Sequence, residues 1–204
     1  MKNEQGIKDA LIDNTIRLIA EGGFEKATTK AITHSGNELP DVKMNEVYIY
    51  RLFGSKEHLY ETAFARLDKE FMLALRNCVG EIGELNTNTK EQLYKIFLRA
   101  WRFVLNNEAG CRCYIRYYYS IYFKGESLEA HNKLFEDILS GFSPLFKEDA
   151  DVRSIMHSVL TTFLDFAIRV YNGDLENNEN NIPHVFNVLY CTMVTYFKSD
   201  FIRG

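Results

Sequence analysis

Leu59, Ala63, Phe64, Leu67, Phe71 and Leu75 fall on one face of a helix at 3.6 residues per turn, and the pattern runs on without an internal glycine or proline. A helix of that length is a spine, and a spine needs other helices to lie against it. The preceding residues supply short ones. Ile7, Leu11 and Leu18, flanked by Ile12, Ile16 and Ile19, predict a first helix that stops at Gly22-Gly23. Thr28 to Ser35 predicts a second, with Thr28 as N-cap, Ile32 turned inward and Gly36-Asn37 able to end it. Asn45 is the next N-cap, opening a short third helix through Val47 and Tyr50 that Gly54 stops, and Ser55 then caps the spine.

Beyond Gly80 the same periodicity predicts helices over Thr89 to Asn106, over the tyrosine-rich CYIRYYYSIYF, over Leu128 to Phe142, over Val152 to Tyr171 and from about Ile182 to Phe197. The segment NGDLENNENN between the last two has no apolar anchor and predicts an exposed, mobile loop. No strand pattern competes, so the fold class is all-α. With 204 residues, 46% of them hydrophobic and only 3 prolines, the chain has enough apolar surface for a large core, burying roughly 70% of its unfolded surface.

Several function classes find no support. The N-terminus MKNEQGIKDALIDN is charged throughout and lacks the apolar stretch of a secretory signal, and no segment has about 18 uninterrupted apolar residues, so a cytoplasmic protein without membrane contact is expected. A net charge of −4 argues against a protein coated in nucleic acid, although it leaves room for a small localised site. Cys78, Cys111, Cys113 and Cys191 match no zinc or redox spacing, and packing thiols are the expectation. Only Arg112 and Arg116 beside Cys111-x-Cys113 hint at an oxidant-sensing thiolate. No phosphate loop, His-Glu-x-x-His or G-x-S-x-G is present, so neither an enzyme nor a cofactor is expected.

The stretch VYIYRLFGSKEHL, residues 47 to 59, carries more information. At 100° per residue Ile49, Leu52 and Phe53 share one side of the third helix, while Val47 and Arg51 lie opposite, flanked by Tyr48 and Tyr50. An outward valine suits a thymine methyl in a major groove, Glu46 can accept from a cytosine amino group, and Arg51 with the two tyrosine hydroxyls can reach phosphate or base edges. Lys56 sits where a helix N-terminus favours an anion. Together with GFEKATTKAI, this stretch resembles the DNA-binding domain of the TetR family of transcriptional regulators. Gly23, Phe24, Thr28, Ile32, Tyr50, Phe53, Ser55, Lys56, Glu57 and Leu59 occupy the matching positions. The sequence departs from that pattern in the inserted ELPDVK before Met44, and in Asn45, Val47 and Leu52.

The resemblance implies a helix-turn-helix domain over residues 1–58 and a helical effector-binding and dimerisation domain over 59–204. It implies DNA contact by Thr28, Asn45, Glu46, Val47, Tyr48, Tyr50, Arg51 and Lys56 at a palindromic operator, and repression relieved by a small molecule. It also implies a homodimer formed through the last two helices. Effector-site candidates are Phe97, Trp101, Tyr114, Tyr117, Tyr118 and Tyr122 as aromatic walls, with His157, Thr161 and Asp165 as polar groups and Arg112, Arg116 or Asp165 as charge complements. The rival reading is an all-helical dimer of the same architecture that has lost DNA binding and serves a protein partner.

Overall fold

The computed structural model describes residues 2–34, 44–80 and 89–202. α1 (Lys2–Gly22) buries the predicted stripe of Ile7, Leu11, Ile12, Ile16, Leu18 and Ile19. The chain leaves it through Gly23 at φ 79°, a left-handed conformation that costs a side-chain-bearing residue 1–2 kcal/mol in order of magnitude, about what glycine avoids. α2 (Thr29–His34) is capped as expected, with the Ala31 amide donating to Thr28 Oγ1 at 3.1 Å. The expected end at Ser35, the Gly36-Asn37 cap and the ELPDVK insertion lie outside the described residues.

α3 (Val47–Phe53) starts two residues after Asn45, whose Oδ1 accepts the Val47 amide at 3.0 Å. It ends at Gly54, φ 76°, where an added Cβ would meet nothing, so the demand there is purely conformational. Ser55 Oγ then accepts the His58 amide at 3.0 Å and opens α4 (Lys56–Gly80), the long helix anticipated from its spacing. α5 (Thr89–Leu105), α6 (Glu108–Tyr118), α7 (Glu126–Phe142), α8 (Val152–Tyr171) and α9 (Asn181–Val194) complete an all-α architecture among the described residues.

Three expectations are corrected. The tyrosine-rich helix begins earlier than predicted and stops at Tyr118, because the Tyr117 carbonyl accepts both the Ser120 amide and the Ser120 hydroxyl and closes a turn. α9 stops at Val194 rather than Phe197. The chain instead turns out so that Phe197 packs edge-on against Phe146, with ring centroids 5.1 Å apart, and the two segments exchange Lys147 amide to Tyr196 carbonyl and Lys198 amide to Leu145 carbonyl bonds, each 2.9 Å. The loop NGDLENNENN is tied down through its polar side chains. Asn177 Oδ1 accepts the indole N–H of buried Trp101 at 3.0 Å, and Asn178 Oδ1 accepts the Asn180 and Asn181 amides at the start of α9.

The chain forms two compact units. One holds residues 1–70 and 109–131, the other 71–108 and 132–204, so α4 and α7 each contribute to both. In the first unit, α1 packs against α2 and α3. Asn14 donates to the Ile32 carbonyl at 2.9 Å, and the Tyr60 hydroxyl donates to the Ala27 carbonyl at 2.6 Å. Phe64 stacks on Tyr117 at 4.3 Å and on Tyr114 at 5.2 Å. One helical turn along α4, Asp68 is 2% exposed, and a single carboxylate oxygen takes the Tyr114 hydroxyl at 3.2 Å and His131 Nδ1 at 3.0 Å. Burial and then the neighbouring Asp68 carboxylate raise the Tyr114 pKa well above the ordinary tyrosine value, so its hydroxyl remains a donor. In the second unit α5, α8 and α9 pack on one another around Phe97, Trp101, Phe163 and Phe186.

No helix among the described residues is long and apolar enough to cross a membrane. No group of three or more His, Cys, Asp or Glu among them is placed to hold a metal ion.

Because Asp68 joins α4 to α6 and α7 in a buried site, Asp68→Ala leaves two polar groups without their shared partner. The expected loss is about 3 kcal/mol of unfolding free energy by urea denaturation. A loss below about 1 kcal/mol would show that this junction carries little stability.

Candidate nucleic-acid interface and ligand cavity

α3 is two turns long, and its two sides differ sharply. Ile49 is 0% and Phe53 6% exposed, whereas Val47 is 68% and Tyr50 55% exposed. Leu52, assigned to the inner side, is half-buried; Arg51 is fully on the solvent side. Lys8 of α1 lies over the Phe53 ring at 5.6 Å and covers the inward edge. On the outer edge the Arg51 guanidinium sits 4.7 Å from the Tyr48 ring centroid, which keeps the charge outside while the half-buried ring supports it.

The other proposed contact residues lie at the starts of α2, α3 and α4. Thr28, Asn45 and Glu46 are exposed, and Lys56 is half-buried with its ammonium 5.6 Å from the Tyr60 ring. None of the eight candidates is buried in the core of its unit. Glu46 is engaged, since its carboxylate accepts the Thr29 hydroxyl and joins the first turn of α2 to the start of α3. Thr29 was not singled out from the sequence, and nothing in its local pattern marks a partner seventeen residues on. The inserted ELPDVK lies outside the described residues.

The effector candidates separate into different places. Tyr114, Tyr117, Tyr118 and Tyr122 belong to the first unit, in an aromatic cluster with Phe24, Tyr60, Phe64 and Phe123. Desolvation raises the titration of Tyr117, which is buried, and of Tyr118, which is half-buried, above the ordinary tyrosine value. Arg116 donates to the Ile19 carbonyl at 3.1 Å and fastens α6 to α1.

Phe97 and Trp101 lie in the second unit, stacked at 5.7 Å. That unit contains an apolar cavity of about 100 Å³, partly open to solvent. Leu75 of α4 and Leu93, Ile96, Phe97 and Ala100 of α5 form part of its wall. Phe135, Ile138 and Phe142 of α7 add another part, and Met156, Leu160 and Phe163 of α8 with Phe186, Leu189 and Met193 of α9 close it. Of the nine effector candidates, Phe97 alone lines this cavity. Trp101 stands behind it, while His157 and Thr161 are half-buried and Asp165 is exposed on α8. The cavity was missed because its wall consists of ordinary Leu, Ile, Phe and Met at core spacing, which no sequence signal separates from a filled core.

Cys111 and Cys113 are buried, and burial pushes the Cys113 thiol up to about 12, with Arg116 and Arg66 only partly opposing it. Thiolate activation of Cys113 by these arginines is therefore outweighed, which removes the chemical basis for oxidant sensing at that thiol.

No protein-family model and no curated protein matches the sequence. Solved structures do match its fold. A TetR family transcription regulator from Marinobacter aquaeolei VT8 aligns with a TM-score of 0.71 at 15% identity, covering 94% of this chain and 98% of that one. A TetR-like transcriptional regulator from Rhodococcus sp. RHA1 aligns at 0.61 and 17% identity, over 91% of this chain and 92% of that one. The transcriptional regulator FadR from Bacillus subtilis, in complex with stearoyl-CoA, aligns at 0.60 and 15% identity, over 91% and 98%. The fold is that of TetR family transcription regulators along nearly the whole chain.

Iodoacetamide at pH 8 is expected to leave Cys113 unmodified until denaturant is added, after which it is alkylated. Intact-protein mass spectrometry with peptide mapping reads the difference; rapid native labelling of Cys113 would contradict its burial.

Proposed function

We propose that this chain is a TetR-like DNA-binding transcriptional regulator, a cytoplasmic repressor released from its operator by a small-molecule effector. The observation that carries the reading is the two-sidedness of α3. Its apolar side is buried while Val47, Tyr50 and Arg51 stand outward, so an apolar, a phenolic and a cationic side chain share one exposed surface. A major groove supplies a thymine methyl for Val47 and base edges or phosphates for Tyr48, Tyr50 and Arg51. Thr28, Asn45 and Lys56 stand at helix starts, where phosphate oxygens are favoured. Glu46 acts mainly as the brace to Thr29, which reduces its value for reading a cytosine amino group.

Residues 1–58 form the reading head in this proposal, and residues 59–204 sense the effector and dimerise. α4 is continuous from Lys56 to Gly80, so a ligand that favours one position of its far end changes the spacing of two heads in a dimer. A coupling of about 1–3 kcal/mol suffices for a useful response.

Homodimerisation through α8 and α9 completes the reading, since two heads one turn of DNA apart bind a palindrome jointly. The apolar residues of these helices, among them Ile155, Met156, Phe163, Val185, Phe186 and Leu189, are buried within the chain's own core. A dimer therefore rests on the mixed outer sides, with Ser158 and Asp165 on α8 and His184, Asn187 and Cys191 on α9. The stearoyl-CoA bound by the Bacillus subtilis regulator supports a small-molecule effector here in kind.

A gel shift with the DNA upstream of the protein's own coding region tests the proposal. The double variant Tyr50→Ala, Arg51→Ala should abolish the shift with an unchanged melting temperature, because both side chains face solvent. Equal binding by that variant removes α3 as the reading helix, and no shift by the wild type favours a dimer that serves a protein partner. Residues 1–60 hold 8 Lys and Arg against 9 Asp and Glu. Few phosphate contacts per head are thus expected, with affinity falling less than about a thousandfold between about 50 and 200 mM salt.

A further inference from the structure

We infer that the effector is recognised through a compact, uncharged hydrocarbon body, about the size of a benzene ring or a six-carbon chain, seated in the cavity of the second unit. This rests on the reading of that unit as the sensor and names the chemistry it senses. Three observations converge on it.

The wall carries no hydroxyl, amide, carboxylate or basic side chain, so a charged or strongly polar group inside would lose its hydration with nothing in return. The polar effector candidates His157, Thr161 and Asp165 do not line it. Its volume, about 100 Å³, compares with engineered apolar cavities of about 150 Å³ that stay dry and admit benzene. Met156 and Met193 in the wall are flexible enough to yield to a ligand slightly larger than the empty space. An eighteen-carbon chain like that of stearoyl-CoA far exceeds such a volume. Because the cavity is partly open, a polar head can stay in water while the hydrocarbon enters.

The chain carries its own reporter. Trp101 is the one tryptophan in the sequence, is buried, and lies 5.7 Å from Phe97 and 5.6 Å from Phe163, both of which line the cavity. Filling the cavity alters the packing around its indole ring and hence its emission.

The experiment titrates the full-length protein, without DNA, with primary n-alkanols from butanol to dodecanol, with benzene and with stearoyl-CoA, following Trp101 emission. Affinity should rise about three- to fourfold per added methylene up to about six carbons and then level off or fall. Benzene should bind comparably to hexanol, and stearoyl-CoA should give no saturable change. Ala100→Leu, which fills the cavity from α5, should weaken hexanol at least tenfold while holding or raising the melting temperature. Leu160→Ala, which enlarges it from α8, should move the break to longer alkanols. Affinity climbing without a break, preferential binding of stearoyl-CoA, or no saturable response to any alkanol or to benzene would overturn the inference. So would an Ala100→Leu variant that folds and binds hexanol as the wild type does. DNA binding by the unliganded protein is measured separately, so failure of the ligand inference and failure of the regulator reading are distinguishable.

Discussion

The burial of Ile49 and Phe53 in the unit where α3 packs on α1 is the constraint on which the proposed DNA-binding surface depends. Helices shorter than about 12–15 residues are marginal in water on their own, and α3 has 7 residues. It exists because one side is taken into the core of its unit, with the Gly54 turn and the Ser55 cap fixing where it ends and where α4 begins. The same 3.6-residue repeat that places Ile49 and Phe53 inside leaves Val47, Tyr50 and Arg51 no place but outside. The outward surface thus follows from the packing of the inward one, and a change at Ile49 would disturb it without touching a contact residue.

α4 extends that constraint along the chain. In the first unit its Tyr60 hydroxyl holds the Ala27 carbonyl, Phe64 stacks on Tyr117, and Asp68 binds Tyr114 and His131. Beyond Glu70 the same helix contributes Leu75 to the cavity wall of the second unit. In the proposed switch α4 carries the coupling, since it has buried polar ties in the first unit and contributes to the cavity wall in the second, and buried polar groups resist sliding out of register. The cavity needs only to favour one position of α4 modestly for the proposed switch to operate.

Much of this was readable from residue spacing. The inner and outer sides of α3, the Thr28 and Ser55 caps, the two glycine stops and the bounds of α8 all arise from local rules, and local rules are what a sequence displays. The failures share a different character. Periodicity marks Tyr114, Tyr117 and Phe97 alike as inward-facing but does not say which core each one joins, and the structure puts the tyrosines and Phe97 in separate units. The polar loop before α9 gives no apolar signal because its anchor is Asn177 to Trp101, a hydrogen bond between residues far apart in sequence. α6 ends at Tyr118 because Ser120 folds back onto Tyr117, a competition between side chain and helix that helical spacing alone does not register. An incompletely filled core looks, residue by residue, like a filled one.

The most direct measurement of the central claim is hydroxyl-radical footprinting of the protein on the DNA upstream of its coding region. Two reading heads that present α3 to successive major grooves predict two protected patches related by a two-fold axis, their centres about 10 base pairs or a multiple of that apart. Uniform protection that ignores sequence, or none at concentrations where the protein is folded, would contradict the account.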